Sequence, residues 1–207
     1  MADWGANVVE GSEAGGAPAP PLRFRSRRSP VLATTGMVSS SQPLATSAGV
    51  HVLRALGGNA ADAAVAVAAV LAVVEPCSTG LGGDMFALYH DAAKKTVTAI
   101  NGSGRAPIGL TLGVLRKDFP DENTTTGISS DRFRTSAHAV TVPGAAAGWE
   151  DFLGRHGSGT LTMAELLRPA VDLAERGFPV APVTAHFWRR GMPLIRQWGP
   201  GPDGGVP

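Results

Sequence analysis

A run of fifteen residues, Ala60–Val74, constrains the fold of this chain more than any other feature. Asp62 is its only polar residue, and every other position is Ala, Val or Leu. Asn59 is a good N-cap, and Glu75-Pro76 ends the pattern. A helix of this length spans about 22 Å, too short for a bilayer that needs ~20 residues. Because a helix that is apolar on all sides must be buried, we expect it at the centre of a helical layer pressed against a sheet.

The remaining elements are predicted from shorter patterns on both sides of this run. The predicted strands are Val31–Val38, Met85–His90, Thr96–Asn101 and His138–Val142, the second and third forming a hairpin through Asp91–Lys95. The predicted helices are Leu44–Leu56, Ala145–His156, Thr162–Arg176 and Ala181–Arg190. Residues 118–134 are polar and are expected to form a loop. Strands interleaved with helices indicate an α+β class.

Charge and cysteine content exclude several classes of partner. The chain has 207 residues, 18 basic and 17 acidic, for a net charge of +1. No overall field attracts nucleic acid or an anionic membrane, so neither is expected as a partner. A single cysteine, Cys77, excludes an internal disulfide and a multi-cysteine zinc site. It favours a reducing compartment, and we expect a cytoplasmic protein.

The two ends of the chain differ in composition from the middle. Residues 1–29 lack the apolar stretch of a secretory signal and contain acidic residues that transit peptides avoid, so we expect a disordered leader. Residues 199–207 consist mainly of Gly and Pro and resemble a linker. We therefore expect one segment, residues 30–198, and a chain truncated near its end.

Taken without any family, the chemistry-bearing residues indicate no mechanism. The five histidines stand far apart, without metal-ligand spacing, so we expect no metal. Two Gly-rich loops, Gly80–Asp84 and Gly102–Gly104, have the composition of backbone anion cradles. Tight turns beside the hairpin are the competing interpretation, and Asp84 would repel a phosphate. Cys77 follows the C-terminal end of the long helix, which does not lower a thiol pKa.

Several motifs, in order, resemble the N-terminal part of the gamma-glutamyltransferase (glutathione hydrolase) family. The resemblance extends over about Pro30 to Arg190 and is closest to its YwrD-like proenzyme branch. It is carried by the run Leu56-Gly-Gly-Asn-Ala-Ala-Asp-Ala-Ala-Val65, the loop Thr79-Gly-Leu-Gly-Gly-Asp-Met-Phe86, the turn Val140-Thr-Val-Pro-Gly144 and the stretch Asn101-Gly-Ser-Gly-Arg-Ala-Pro107.

The resemblance implies an N-terminal-nucleophile hydrolase with an αββα sandwich, of which this chain holds a part. Such a precursor cleaves itself into a large and a small subunit, and the new N-terminal threonine is the nucleophile. No cofactor is implied. That threonine falls beyond the length of this chain, so we expect no catalytic residue here and no activity without the small subunit. The Thr34-Thr35 pair lies at the wrong end to replace it.

The substrate-binding residues that the resemblance implies are Ser103 and Arg105. Gamma-glutamyl-specific members place an arginine in this motif to clamp the substrate's α-carboxylate, a task suited to a bidentate guanidinium. The matching position here is Ser103, two residues before Arg105. Arg105 either takes over the clamp or only holds the loop, and the substrate is a gamma-glutamyl amide or a related amide.

The function expected from the resemblance is therefore that of an amidohydrolase segment, and whether this chain is an enzyme by itself stays open. One alternative is a non-catalytic protein that pairs with a full-length relative. Another is a small anion-binding module that uses the two Gly-rich loops.

Overall fold

The computed structural model describes residues 29–120, 131–134 and 136–198. The expected tail, and all of the expected leader except Ser29, lie outside these ranges. The chain divides into two units, Met1–Ala33 and Thr34–Pro207. In the first unit, residues 29–33 form neither helix nor strand. The second unit contains all the elements described below.

Seven helices and one antiparallel hairpin make up the described part of the second unit. The helices are α1 (Pro43–Arg54), α2 (Ala60–Val74), α3 (Leu112–Asp118), α4 (Asp131–Arg134), α5 (Ala145–His156), α6 (Met163–Arg176) and α7 (Pro182–Trp198). The strands are β1 (Met85–Asp91) and β2 (Thr96–Gly102), paired so that Leu88 faces Ala99. None of the helices in the described ranges has the length and hydropathy that a membrane span needs.

The core lies where α2 packs against α1, α5 and α6, as predicted for the apolar run. Val65, Val70 and Val74 of α2 are at most 1% exposed. Trp149 and Phe152 of α5 complete the main cluster. At Gly49 of α1 a Cβ would lie 2.6 Å from Val67, so glycine permits the close crossing of α1 and α2.

The turn between α1 and α2 is a rigid joint centred on Asp62. Gly57 has a φ of 71°, a left-handed value that favours glycine. Asn59 caps α2, and the Asn59 N–H donates to Asp62 Oδ2 over 2.9 Å. The Asp62 carboxylate, 1% exposed, also accepts the Ser158 N–H from the turn after α5. The family-like run around Asn59 is therefore a structural joint that ties α2 to α5.

One side of α2 is open, which corrects the prediction of burial all round. Ala64 is exposed, and Ala68 and Leu71 are half-buried. The reason is that the sheet has only two strands in the described residues and does not extend across this side of the helix.

Two predicted strands are absent. Residues 31–38 and 140–142 form no strand, with a bend at Thr34 and Thr35 in the first segment, and Ala137–Ala139 forms a 3₁₀ turn where the strand predicted at 138–142 was expected to begin. A strand needs a series of backbone hydrogen bonds with a neighbour, and residues 140–142 make a single such bond to the segment after β2, from the Val142 N–H to the Arg105 carbonyl, within the described residues.

The polar region and the last helix also differ from the prediction. Helix α3 lies just before the expected loop and α4 at its end, while residues 121–130 lie outside the described ranges. Helix α7 continues past Arg190 to Trp198, through Gly191 and Pro193. These residues lower helix propensity without ending the helix, as Pro169 does inside α6.

Candidate functional site

Three glycine-containing loops meet at one end of the hairpin, next to the first turn of α5. The Gly83 carbonyl accepts the N–H groups of Gly144 and Ala145, over 3.1 and 3.0 Å. The loop before β1 is thus fixed to the start of α5. Both Gly-rich loops named from the sequence belong to this junction, and the Pro143-Gly144 turn is its third member.

Asp84 joins the first loop to the second. Its Oδ1 accepts the Gly104 N–H over 2.7 Å, while the Ser103 hydroxyl lies at a long 3.5 Å from Oδ2. Of these two contacts only the first has the geometry of a strong hydrogen bond. Asn101 Oδ1 accepts the Ser103 N–H over 3.0 Å and tightens the same turn. Asp84 therefore holds the loop, a role that the sequence reasoning did not assign to it.

The glycines of this junction permit backbones to approach closely. A Cβ at Gly102 would lie 2.9 Å from the Met85 carbonyl, and one at Gly104 would lie 2.6 Å from Thr141 Oγ1. A Cβ at Gly144 would overlap the carbonyl of Gly102. Side chains are excluded for packing reasons at Gly102, Gly104 and Gly144, so the tight-turn interpretation explains the second loop, whereas a Cβ at Gly80 or Gly82 of the first loop would meet no atom within 4 Å.

The two predicted substrate-binding residues lie on the second loop. Ser103 is exposed, with its N–H turned toward Asn101. The Arg105 carbonyl accepts the Val142 N–H over 3.0 Å, which fixes its backbone. The Arg105 side chain is exposed, and its guanidinium has no ion pair or hydrogen bond within the described residues. The loop therefore presents an unpaired cation, the property that binding of an anionic group requires.

An open groove of about 250 Å³ lies beside the junction, between α2 and β1. Its lining is mainly apolar, and Asp84 is among its polar residues. The residues that matter for its shape are Ala64, Ala68, Thr79, Asp84, Phe86 and Trp149. The groove uses the side of α2 that the two-stranded sheet leaves uncovered.

Histidine and cysteine do not contribute to this junction. No group of three His, Cys, Asp or Glu side chains suited to a metal ion occurs in the described ranges. His156 Nε2 lies 2.9 Å from Thr98 Oγ1, and its ring stacks on Tyr89 with centroids 4.4 Å apart. His138 pairs with Asp118 over 2.9 Å. These two histidines have structural partners, and Cys77 is exposed.

Comparison with known proteins identifies the family. The model of the gamma-glutamyltranspeptidase family matches residues 45–202. The chain is 43% identical over 165 residues to the glutathione hydrolase-like YwrD proenzyme of Bacillus subtilis, covering 80% of the chain and 29% of that protein. It is 40% identical to the acylase ACY 1 proenzyme of Pseudomonas sp. strain SE83, covering 79% and 28%.

A solved structure agrees with the sequence matches. Gamma-glutamyltranspeptidase from Helicobacter pylori superposes with a TM-score of 0.70 at 29% identity, over 86% of this chain and 50% of that one. The α+β class and the partial sandwich are confirmed. The chain spans less than a third of the length of the YwrD-like proenzyme and of the acylase proenzyme. It belongs to the gamma-glutamyltranspeptidase family, and it represents a part of the family's full length.

Proposed function

We propose that this chain is the N-terminal part of a large subunit in an amidohydrolase of its family, and that it supplies the loop that binds the anionic end of the substrate. The nucleophilic threonine comes from the part of the family's length that this chain does not span. Alone, the 207-residue chain therefore hydrolyses no amide.

The observation that carries this proposal is the position of Arg105. Its backbone is fixed by Val142, yet its side chain is exposed and has no partner within the described residues. Because an unpaired guanidinium carried on a fixed backbone can bind a carboxylate, we assign to Arg105 the clamp that the resemblance places at Ser103. Ser103 takes a secondary, hydrogen-bonding role toward the same group.

The substrate class we propose is an amide whose acyl part carries a carboxylate. The relatives include glutathione hydrolases and an acylase, so membership of the family alone does not choose between gamma-glutamyl and other acyl groups. The clamp favours an anionic acyl group. Cytoplasmic action stays part of the proposal, since the free Cys77 fits a reducing compartment.

A chimera tests the proposal. The 165 residues that match the B. subtilis YwrD-like proenzyme replace the corresponding segment of that protein. We expect the chimera to cleave itself and to hydrolyse a gamma-glutamyl anilide or a dicarboxylic monoamide. Arg105→Ala should raise KM at least tenfold, and Ser103→Ala should raise it less. Equal and small effects of the two substitutions would reduce the loop to a structural turn.

The isolated chain provides the complementary test. It should release no product from either substrate, and Thr34→Ala and Thr35→Ala variants should behave identically. Turnover by the isolated chain that disappears in either variant would refute the proposal, because it would locate the nucleophile within these 207 residues.

The open sheet face supports a second candidate, a non-catalytic partner of a full-length relative. Phe86 and Leu88 of β1 are 68% and 78% exposed, and Val97 of β2 is 64% exposed. The chimera separates the two functions. A partner that is not part of an enzyme would bind the relative, yet its segment would not support hydrolysis when placed inside it.

A further inference from the structure

We propose that Asp84 is a positioning residue for Arg105, fixing the turn from which the Arg105 side chain reaches the substrate. The inference rests on the proposed function and adds a residue on a different loop to the substrate clamp.

The backbone around Arg105 is held from two sides. On one side the preceding residue, Gly104, donates its N–H to Asp84 Oδ1 over 2.7 Å. On the other side the Arg105 carbonyl accepts the Val142 N–H over 3.0 Å. A long side chain such as arginine samples many rotamers, so a fixed backbone determines where its guanidinium can reach. Without Asp84, the Gly104 N–H would lose its acceptor, and the turn would keep the Val142 bond and the Ser103 N–H to Asn101 Oδ1 bond.

Asp84 is itself anchored. It follows Gly83, whose carbonyl accepts two N–H groups from the first turn of α5, and it immediately precedes β1. Because α5 and the hairpin hold Asp84 in place, its carboxylate holds the Gly104 N–H in a defined position. The glycine at 104 is required in this arrangement, since a Cβ there would collide with Thr141 and the Val142 carbonyl.

Asp84 acts on the backbone and not on the guanidinium. No ion pair joins Asp84 to Arg105, and the shorter of the two carboxylate contacts goes to the Gly104 N–H. The positive charge of Arg105 therefore stays available for a substrate anion. If Asp84 acted only through its charge, removing that charge would lower KM, because a carboxylate near the clamp repels an anionic substrate. If Asp84 positions Arg105, losing its hydrogen bond raises KM.

Two substitutions separate these roles in the chimera described above. In Asp84→Asn the amide oxygen still accepts the Gly104 N–H, so we expect KM within about twofold of the unsubstituted value. In Asp84→Ala the acceptor is lost, and we expect KM to rise about tenfold with kcat changed less. The Asp84→Ala/Arg105→Ala double variant should be no worse than Arg105→Ala, because both changes remove the same interaction.

Asp91→Ala is the matched control. Asp91 is at the other end of the same hairpin, where its carboxylate accepts the N–H groups of Ala93 and Lys94, each over 3.0 Å. Its loss should leave KM unchanged. Three results would overturn the inference: a KM that falls in Asp84→Asn, fully additive effects in the double variant, or an Asp91→Ala effect as large as that of Asp84→Ala.

An independent measurement on the full 207-residue chain separates this inference from the proposed function. The Gly104 amide proton should exchange slowly with solvent in the unsubstituted chain and in Asp84→Asn, where an oxygen still accepts it, and should exchange faster and shift its resonance in Asp84→Ala. If the chimera neither cleaves itself nor hydrolyses an amide, the proposed function fails, while this exchange measurement still decides whether Asp84 holds the turn. A Gly104 amide proton unchanged in Asp84→Ala would refute the positioning role whatever the chimera does.

Discussion

The two faces of the β1–β2 hairpin carry similar side chains in opposite surroundings. On the inner face Met85, Ala87 and Tyr89 pack against the helical core. On the outer face Phe86 and Leu88 are 68% and 78% exposed, a larger apolar exposure than a lone surface residue explains. A strand that is apolar on both faces is typical of a sheet covered on both sides. The comparison indicates that, within the described residues, the helices cover the inner face of the hairpin and nothing covers the outer face.

The exposed outer face agrees with the fact that this chain covers only part of the length of its relatives. The matched H. pylori protein extends well beyond the part that this chain spans, and half of its chain has no counterpart here. In the sandwich that the resemblance implies, a second sheet would cover Phe86 and Leu88. The part of the family's length that has no counterpart here would then also cover the open side of α2 and the groove beside it.

The largest expected effect compares one substitution on the two faces. Val70 of α2 is 0% exposed, so Val70→Lys would bury an unpaired charge and should cost several kcal/mol of folding free energy. Leu88→Lys lies on the outer face and should change stability by less than about 0.5 kcal/mol. Chemical denaturation of the isolated chain measures both.

The same pair of variants tests the exposure directly. Wild-type chain should bind a hydrophobic dye and self-associate, and Leu88→Lys should reduce both signals while the fold is retained. If Leu88→Lys were as destabilising as Val70→Lys, the outer face would be covered within this chain, and the comparison would be wrong.

The second prediction concerns the turn between α1 and α2, where the buried Asp62 carboxylate links α2 to the residues after α5. Asp62→Ala removes a carboxylate that accepts the Asn59 and Ser158 N–H groups in a buried place. Leaving these donors without a partner should cost about 2 kcal/mol, given ~1–3 kcal/mol for an unsatisfied buried group. Asp91→Ala removes a carboxylate with two backbone donors in an exposed turn and should cost clearly less. If thermal unfolding showed equal losses of stability for the two variants, burial would not be what makes the Asp62 hydrogen bonds more stabilising than those of Asp91.

The elements that the sequence predicted well are those defined by local signals. Asn59 and Thr162 cap α2 and α6 through capping boxes, and Gly157 follows the last residue of α5. The predicted ends agree with the structure because each cap interacts within four residues. The strand predicted at 31–38 failed because strand formation depends on neighbours far along the chain.

The candidate site shows the same division. Ser103 and Arg105 were predicted from a motif contained in one loop, and their binding role stays a prediction. The role of Asp84 was not, because its partner Gly104 is 20 residues away and the two meet only when the hairpin forms. A carboxylate within a glycine loop can repel an anion or hold a backbone N–H, and only tertiary structure decides between these roles.

A smaller effect is expected where the inner face meets α5. Thr98→Val keeps the shape of the side chain and removes the hydroxyl 2.9 Å from His156 Nε2, while the ring of His156 still stacks on Tyr89. The loss should be about 0.5 kcal/mol, the lower end of a net hydrogen bond. Thr96→Val on the same strand is the control, since the Thr96 hydroxyl has no hydrogen bond within the described residues. Indistinguishable melting curves for the two variants would show that the hydroxyl–imidazole contact adds nothing to hairpin docking.

The smallest effect concerns the exposed N-terminal cap of α6, formed by Thr162 and Glu165. The backbone N–H and hydroxyl of Thr162 donate to Glu165 and hold the pKa of the Glu165 carboxyl below its ordinary value of 4.5. A lowered folded-state pKa means that the cap contributes stability above pH 4.5 and loses it as pH falls through the folded value.

In Glu165→Gln the amide oxygen still accepts the Thr162 N–H but does not titrate. The stability of wild type relative to this variant should therefore be constant from pH 7 to about 5 and decrease below that. Comparing the two proteins cancels the other carboxyl groups, including Asp91, whose pKa is also lowered by the backbone N–H of Lys94. A difference that stays constant down to pH 3 would mean that the carboxylate does not cap the helix in solution.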